Sequence, residues 1–166
     1  MYNPIIIANY FLKHYGDKNI TPMKLVKLVY ISHGWYLGLM EQPLIDENPE
    51  AWQYGPVIPT VYHYFKNFGG SPITSKDFES NPDEILPSEI QKFLNKIWEI
   101  YGKYSALQLS AKTHEPNTPW HISWNRMKER QNGINGFGIY SHQIPDNLIK
   151  EYYQKKFNMN KVKDLI

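Results

Sequence analysis

At 166 residues the chain is long enough to bury a core of its own, and its net charge of +2 is too small to announce nucleic acid by composition alone. The absence of cysteine excludes disulfides, thiol catalysis and cysteine metal sites, and fits a reducing cytosol. Aromatic residues make up 15%, with 13 Tyr and 5 Trp, so the core is expected to be built from large rings whose polar edges need partners.

Helix signals dominate the chain. Asn3 before Pro4 is an N-cap with proline in the first turn, and Gly16 closes that helix near Tyr15. The apolar run Ile5-Ile6-Ile7 has no basic region before it and is soon interrupted by Asn9, Lys13 and His14, so it is not a signal peptide. Thr21-Pro22 repeats the cap and opens the longest helix, to about Met40. Leu25, Leu28, Val29 and Tyr36 mark one side of it, and Val26, Tyr30, His33 and Leu37 the next. A helix apolar on most sides is central. Its remaining stripe, Lys24, Lys27, Ile31, Gly34 and Gly38, begins basic and ends in two glycines where another backbone can come close.

Residues 41–55 read as irregular or extended. They end in Ala51-Trp52-Gln53-Tyr54-Gly55-Pro56-Val57-Ile58-Pro59, a hard turn with an aromatic pair beside it and an abrupt helix start after it. Val57, Val61, Tyr64, Phe65 and Phe68 then recur at helical spacing until Gly69-Gly70. Residues 71–87 read as loop or short strand. Ile90, Phe93, Leu94, Ile97, Trp98 and Tyr101 form the cleanest amphipathic stripe. Ser105 and Gln108 form a capping box for a helix with inner face Leu107, Ala111 and His114, ended by Pro116. Thr118-Pro119 starts another, carrying Trp120, Trp124 and Met127. The segment 132–138 is a Gly/Asn-rich flexible loop, 139–144 a short strand, and Pro145 opens a last helix through Leu148, Ile149, Tyr152 and Phe157.

The expected fold is therefore mainly α (α+β with a small β element), a single compact helical domain around a long central helix. The domain spans 1–157, and 158–166 is a mobile C-terminal tail. No apolar run approaches the ~20 residues of a membrane helix, so no membrane insertion and a cytoplasmic location are expected.

Catalytic and ligand patterns are weak. His114-Glu115 begins like a zinc-protease helix, but the next histidine is His121 and Pro116 intervenes, so no metal is expected. There is no Gly-x-Ser-x-Gly elbow, and Gly133, Gly136 and Gly138 lack nucleotide-loop spacing. No cofactor follows, and the chain is not read as an enzyme. His33 reads as a core histidine bonded to a tyrosine. His114 and Trp120 are set aside as further candidates, His114 for its place on the inward face beside the Pro119-Trp120 turn. Arg126, Lys128 and Arg130 form a basic group interrupted by Glu129, which is the pattern of a solvated face. A nucleic-acid-binding regulator of its own operon is the alternative reading.

Two segments carry a resemblance. Thr21-Pro22-Met23-Lys24-Leu25-Val26-Lys27-Leu28-Val29-Tyr30 through Gly34-Trp35-Tyr36-Leu37, followed in order by Ala51-Trp52-x-Tyr54-Gly55-Pro56-Val57-x-Pro59, is similar to the two signatures of the Panacea family. Its members are also described as SocA-like antitoxins or phage-associated GepA-like proteins. Pro119-Trp120 after His114 resembles a later segment, and the likeness covers most of residues 4–130. It implies an antitoxin, often carried by a prophage, that neutralises a toxin encoded nearby by direct protein contact. It also implies, for some members, an adaptor role that presents the toxin to a protease; a chaperone is a further candidate partner. Many members carry an added DNA-binding segment, which is not expected ahead of a helix starting at Pro4. The loop at 132–138 and the last nine residues show no family pattern. Lys24, Lys27, Trp52, Tyr54, Gly55 and Pro56 are the candidate partner-binding residues. The two lysines have no evident reason in core packing, and aromatics beside charges suit an interface hot spot. Trp35 is assigned to the core.

Overall fold

The structure, a computed structural model, describes residues 1–74, 80–133 and 142–160. Among these residues it contains eight α-helices and one two-stranded antiparallel sheet. In chain order they are α1 (Pro4–Tyr15), α2 (Pro22–Met40), β1 (Glu50–Trp52), β2 (Gly55–Val57), α3 (Pro59–Phe65), α4 (Pro82–Ile85), α5 (Ser88–Tyr101), α6 (Ala106–His114), α7 (Pro119–Gly133) and α8 (Asp146–Asn160). The mainly helical class with a small β element is what the sequence led us to expect.

The caps form as the sequence predicts. Asn3 Oδ1 accepts from Ile5 N at 2.9 Å, and Thr21 Oγ1 accepts from Lys24 N at 3.3 Å. Ser105 and Gln108 exchange both bonds of the capping box. The helix α2 is central and packs against α1, α3, α5, α6 and α8. Trp35 on it is buried and donates through Nε1 to Tyr101 Oη at 2.7 Å, which satisfies the polar edge of a core ring. Gly34 and Gly38 lie against Tyr153 of α8. A Cβ on Gly38 would sit 2.8 Å from Tyr153 Cβ, and one on Gly34 would overlap the Tyr153 ring.

Five readings are corrected. Gly55–Val57 is a strand, and the following helix begins at Pro59 rather than straight after the turn. β2 tolerates Pro56 because the Ala51↔Pro56 pair asks for no N–H from it. Ala51 N instead points away from β2 and donates to His142 O at 2.7 Å. Tyr64, placed on the inner stripe of α3, is exposed, while Val61 and Phe65 are buried. Within 71–87, residues Pro82–Ile85 form a helical turn capped by Asn81 rather than a loop or strand. On α6 the inward residues are Leu109 and Thr113; Leu107 is 75% exposed, and Ala111 is exposed too. His33 is 1% exposed, but its Nε2 meets Asp146 Oδ1 at 3.2 Å rather than a tyrosine.

The expected strand at 139–144 is described only from residue 142. There Gln143 bridges Glu50, and Ile144 N donates to Pro49 O at 2.7 Å, so this segment lies on the free edge of β1. Residues 134–138 of the expected loop and 161–166 of the expected tail lie outside the described residues; α8 itself runs on to Asn160.

Candidate functional site

The β1–β2 hairpin collects most of the candidate residues. Gln53 and Tyr54 make its two-residue turn, and the reversal is completed at Gly55, whose φ is +104°. No side chain fits there. A Cβ would lie 2.5 Å from Lys27 Nζ and 2.7 Å from His114 Cε1. Glycine is therefore required twice, for the angle and for the space.

Lys27 explains the space. Its side chain runs from α2 beneath the hairpin, is 2% exposed, and donates through Nζ to Tyr54 O and Pro56 O, each at 2.9 Å. The Pro56 carbonyl points toward α2 for the same reason that the ring is tolerated: its pair in the ladder needs no bond on that side. Burial pushes the Lys27 ammonium down to about 7. The neutral amine still has two N–H groups for the two carbonyls. Lys27 thus has a reason inside the protein after all. Its place on the apolar helix was legible, but the strand carbonyls that receive it were not.

Lys24 goes elsewhere. Its Nζ donates to Gly102 O at 2.6 Å, at the C-terminus of α5, and lies 5.1 Å from the centroid of the Trp98 ring. A cation there meets the negative end of a helix and a π face. Burial lowers its pKa as well. The two lysines are one turn apart on α2, yet they serve different neighbours.

His114 and Trp120 complete the support. Ser110 Oγ donates to Tyr54 O at 3.2 Å, the second donor on that carbonyl. His114 Nδ1–H donates to Ser110 O at 2.6 Å; a carbonyl can only accept, which fixes the tautomer. The His114 ring packs on Trp120 with centroids 4.0 Å apart, and Trp120 Nε1 donates to Trp52 O at 2.7 Å. Hairpin carbonyls 52, 54 and 56 are therefore each held from α2, α6 or α7. Ser110 was not singled out from the sequence, and no local pattern distinguishes it from the other serines.

At the tip of the hairpin the carbonyls are held from within while the side chains of Gln53 and Tyr54 face out. Tyr54 is 69% exposed. Trp52 is half-buried, edge-on to Tyr62 at 4.9 Å, with Nε1 donating to Glu50 Oε2 at 2.7 Å. Beside them lies a groove of about 450 Å³ between the hairpin, the start of α2 and α3. Met23, Val26, Tyr62 and Lys66 line it with the hairpin residues, and only Val26 among these had been noted, as a core residue. Among the described residues no three His, Asp or Glu side chains converge to hold a metal, and no helix is long and apolar enough to cross a membrane.

The comparisons with known proteins agree with one another. The family model described as "Antitoxin SocA-like, Panacea domain" matches residues 25–121, which include every candidate residue but Lys24. The protein named Antitoxin SocA from Caulobacter vibrioides (strain NA1000 / CB15N) is 31% identical over 147 residues, covering 83% of this chain and 74% of that protein. No solved structure matches the chain significantly.

Proposed function

The chain belongs to the SocA-like antitoxin, Panacea-domain family, and from that premise we propose that it neutralises a cognate toxin, encoded beside it, by binding that protein directly. The observation that carries the reading is the hairpin: its backbone is anchored from three helices while Tyr54 stands exposed at its tip. A rigid aromatic presented to solvent loses little entropy on docking, which is how interface anchors gain their weight. Tyr54, Trp52 and the groove beside them form the contact. Lys27, Gly55, Pro56, His114 and Trp120 position that contact without touching the partner. Lys24 supports α5.

The mechanism in this reading is occlusion in the cytoplasm, with no covalent step. A proteolytic-adaptor route differs in one measurable respect, since it lowers the amount of toxin. The test is co-expression with the neighbouring reading frame, followed by growth and toxin immunoblot. Expected are arrest by the neighbour alone, relief by this chain at unchanged toxin level, and weaker relief with Tyr54→Ala. That substitution is expected to weaken binding by about 2 kcal/mol, roughly thirtyfold. A neighbour that is harmless alone, or that stays toxic beside soluble chain, overturns the proposal.

A further inference from the structure

The chemistry of the groove restricts what it can take, and the inference rests on the partner-binding reading above. Its walls are mostly apolar: Met23 and Val26 from α2, Trp52 and Tyr54 from the hairpin, Tyr62 from α3. Met23 and Tyr62 are partly exposed although large and apolar, so they keep surface that a partner can cover. Among the described residues the charged side chains that line it are Lys27, which is buried, and Lys66, which is exposed, with no aspartate or glutamate.

The carboxylates of Glu50 and Glu47 do not line the groove. Glu50 accepts from Trp52 Nε1 at 2.7 Å, and Glu47 accepts from Thr60 N at 3.1 Å. Of the two lysines that line the groove, Lys66 is the exposed one, free to meet a partner's charge over an apolar floor. A nucleic acid is a poor match, because phosphate binding needs several outward cations and Lys27 is spent on Tyr54 O and Pro56 O. A basic segment would be repelled. An apolar segment carrying a carboxylate matches both the walls and Lys66, and that pairing strengthens as docking excludes water.

We propose that the groove receives a short segment of the toxin in which bulky apolar side chains flank an aspartate or glutamate. The apolar groups pack on Met23, Val26 and Tyr62, and the carboxylate pairs with Lys66. The segment's register is set by Tyr54, which stands at one end of the groove.

The experiment places a photo-crosslinking phenylalanine analogue at position 23, 54 or, as a remote control, 85, in the full chain co-expressed with the neighbouring gene's protein. Ile85 is exposed on α4, which packs on α1. Mass spectrometry then identifies the captured peptide. In parallel, Lys66→Glu and Lys66→Gln are compared with the wild type for affinity to the purified neighbour and for melting temperature. Expected are crosslinks from 23 and 54 to one apolar peptide containing Asp or Glu, none from 85, and a loss of affinity of about tenfold for Lys66→Glu and less for Lys66→Gln, at unchanged melting.

Capture of a peptide without a carboxylate, capture of a second copy of this chain, or unchanged affinity of Lys66→Glu overturns the inference. In each of those cases, relief of toxicity by the wild type leaves the antitoxin reading standing. Failure of the wild type to relieve toxicity removes that reading, and the inference with it.

Discussion

Lys27 Nζ reaches Tyr54 O and Pro56 O at 2.9 Å from a side chain that is 2% exposed, and burial holds its pKa near 7 against an ordinary 10.5. The sign of the resulting pH dependence follows from proton counting. Between about pH 7 and 10.5 the unfolded chain binds more protons at this lysine than the folded chain does, so stability from this group rises with pH across that window. Below pH 7 both states carry the proton, and the full cost of the buried cation is present. Lys27→Met removes the titration but leaves the Pro56 carbonyl without this donor, costing about 1–3 kcal/mol, while Tyr54 O keeps Ser110 Oγ. Urea unfolding of both proteins at pH 6, 7.5 and 9 is expected to show the wild type gaining on Lys27→Met by a few kcal/mol as pH rises. A constant gap would mean that Lys27 keeps an ordinary pKa. Gly55 supplies the companion test. Its φ of +104° and the contacts a Cβ would make with Lys27 and His114 predict that Gly55→Ala costs about 2 kcal/mol or more. Urea midpoints measure it, and a smaller loss would mean that the hairpin can shift off Lys27.

At the level of elements, the contact between α2 and α8 is made by absence of side chains. Gly34 and Gly38 open one face of α2, and Tyr153 fills it. Replacing Gly34 by alanine gains about 1 kcal/mol in helix propensity. It also drives a methyl group into a buried ring, and such overpacking costs about 1–3 kcal/mol. Overlap wins, because Tyr153 is buried and held edge-on to Trp35 at 5.1 Å. Gly34→Ala is therefore expected to lower stability, with faster amide exchange concentrated in α8, and Tyr153→Leu in the same chain is expected to restore part of the loss. A Gly34→Ala variant as stable as the wild type would refute this packing. The glycine pair was visible in the sequence because spacing four is a helical repeat; its occupant, more than a hundred residues away, was not. The same limit explains the other misses. Helix caps are local, and the three read from Asn3, Thr21 and Ser105 form as expected. The hairpin was missed because each strand has three residues, too few to display alternation, and one of them is proline. Leu107 was misplaced because α6 is short, and Leu109 and Thr113, not Leu107, set its phase.

Across the whole molecule, α2 links two regions with different duties. Its first turns, Met23 to Lys27, form the groove wall and brace the hairpin; its last turns, His33 to Gly38, receive α8. The family signature runs along both, which is why it could be recognised without revealing which residues face a partner. Removing residues 146–166 leaves every groove residue in place and separates the two duties. It exposes the surfaces that Ile149 and Tyr153 bury, about 1.5–3 kcal/mol each, and takes Asp146 away from His33. The partly buried Tyr152 and Phe157 are lost as well. Against a total stability of about 5–15 kcal/mol for a domain of this kind, that is a decisive fraction. The truncated chain is expected to lose near-ultraviolet circular dichroism, to show no cooperative thermal transition and to fail in toxin relief. A cooperative melt within a few degrees of the full chain would instead show that α1, α3, α5 and α6 suffice to hold α2. In that case toxin relief by the truncated chain would follow directly, because the groove and its Lys27 brace would be intact.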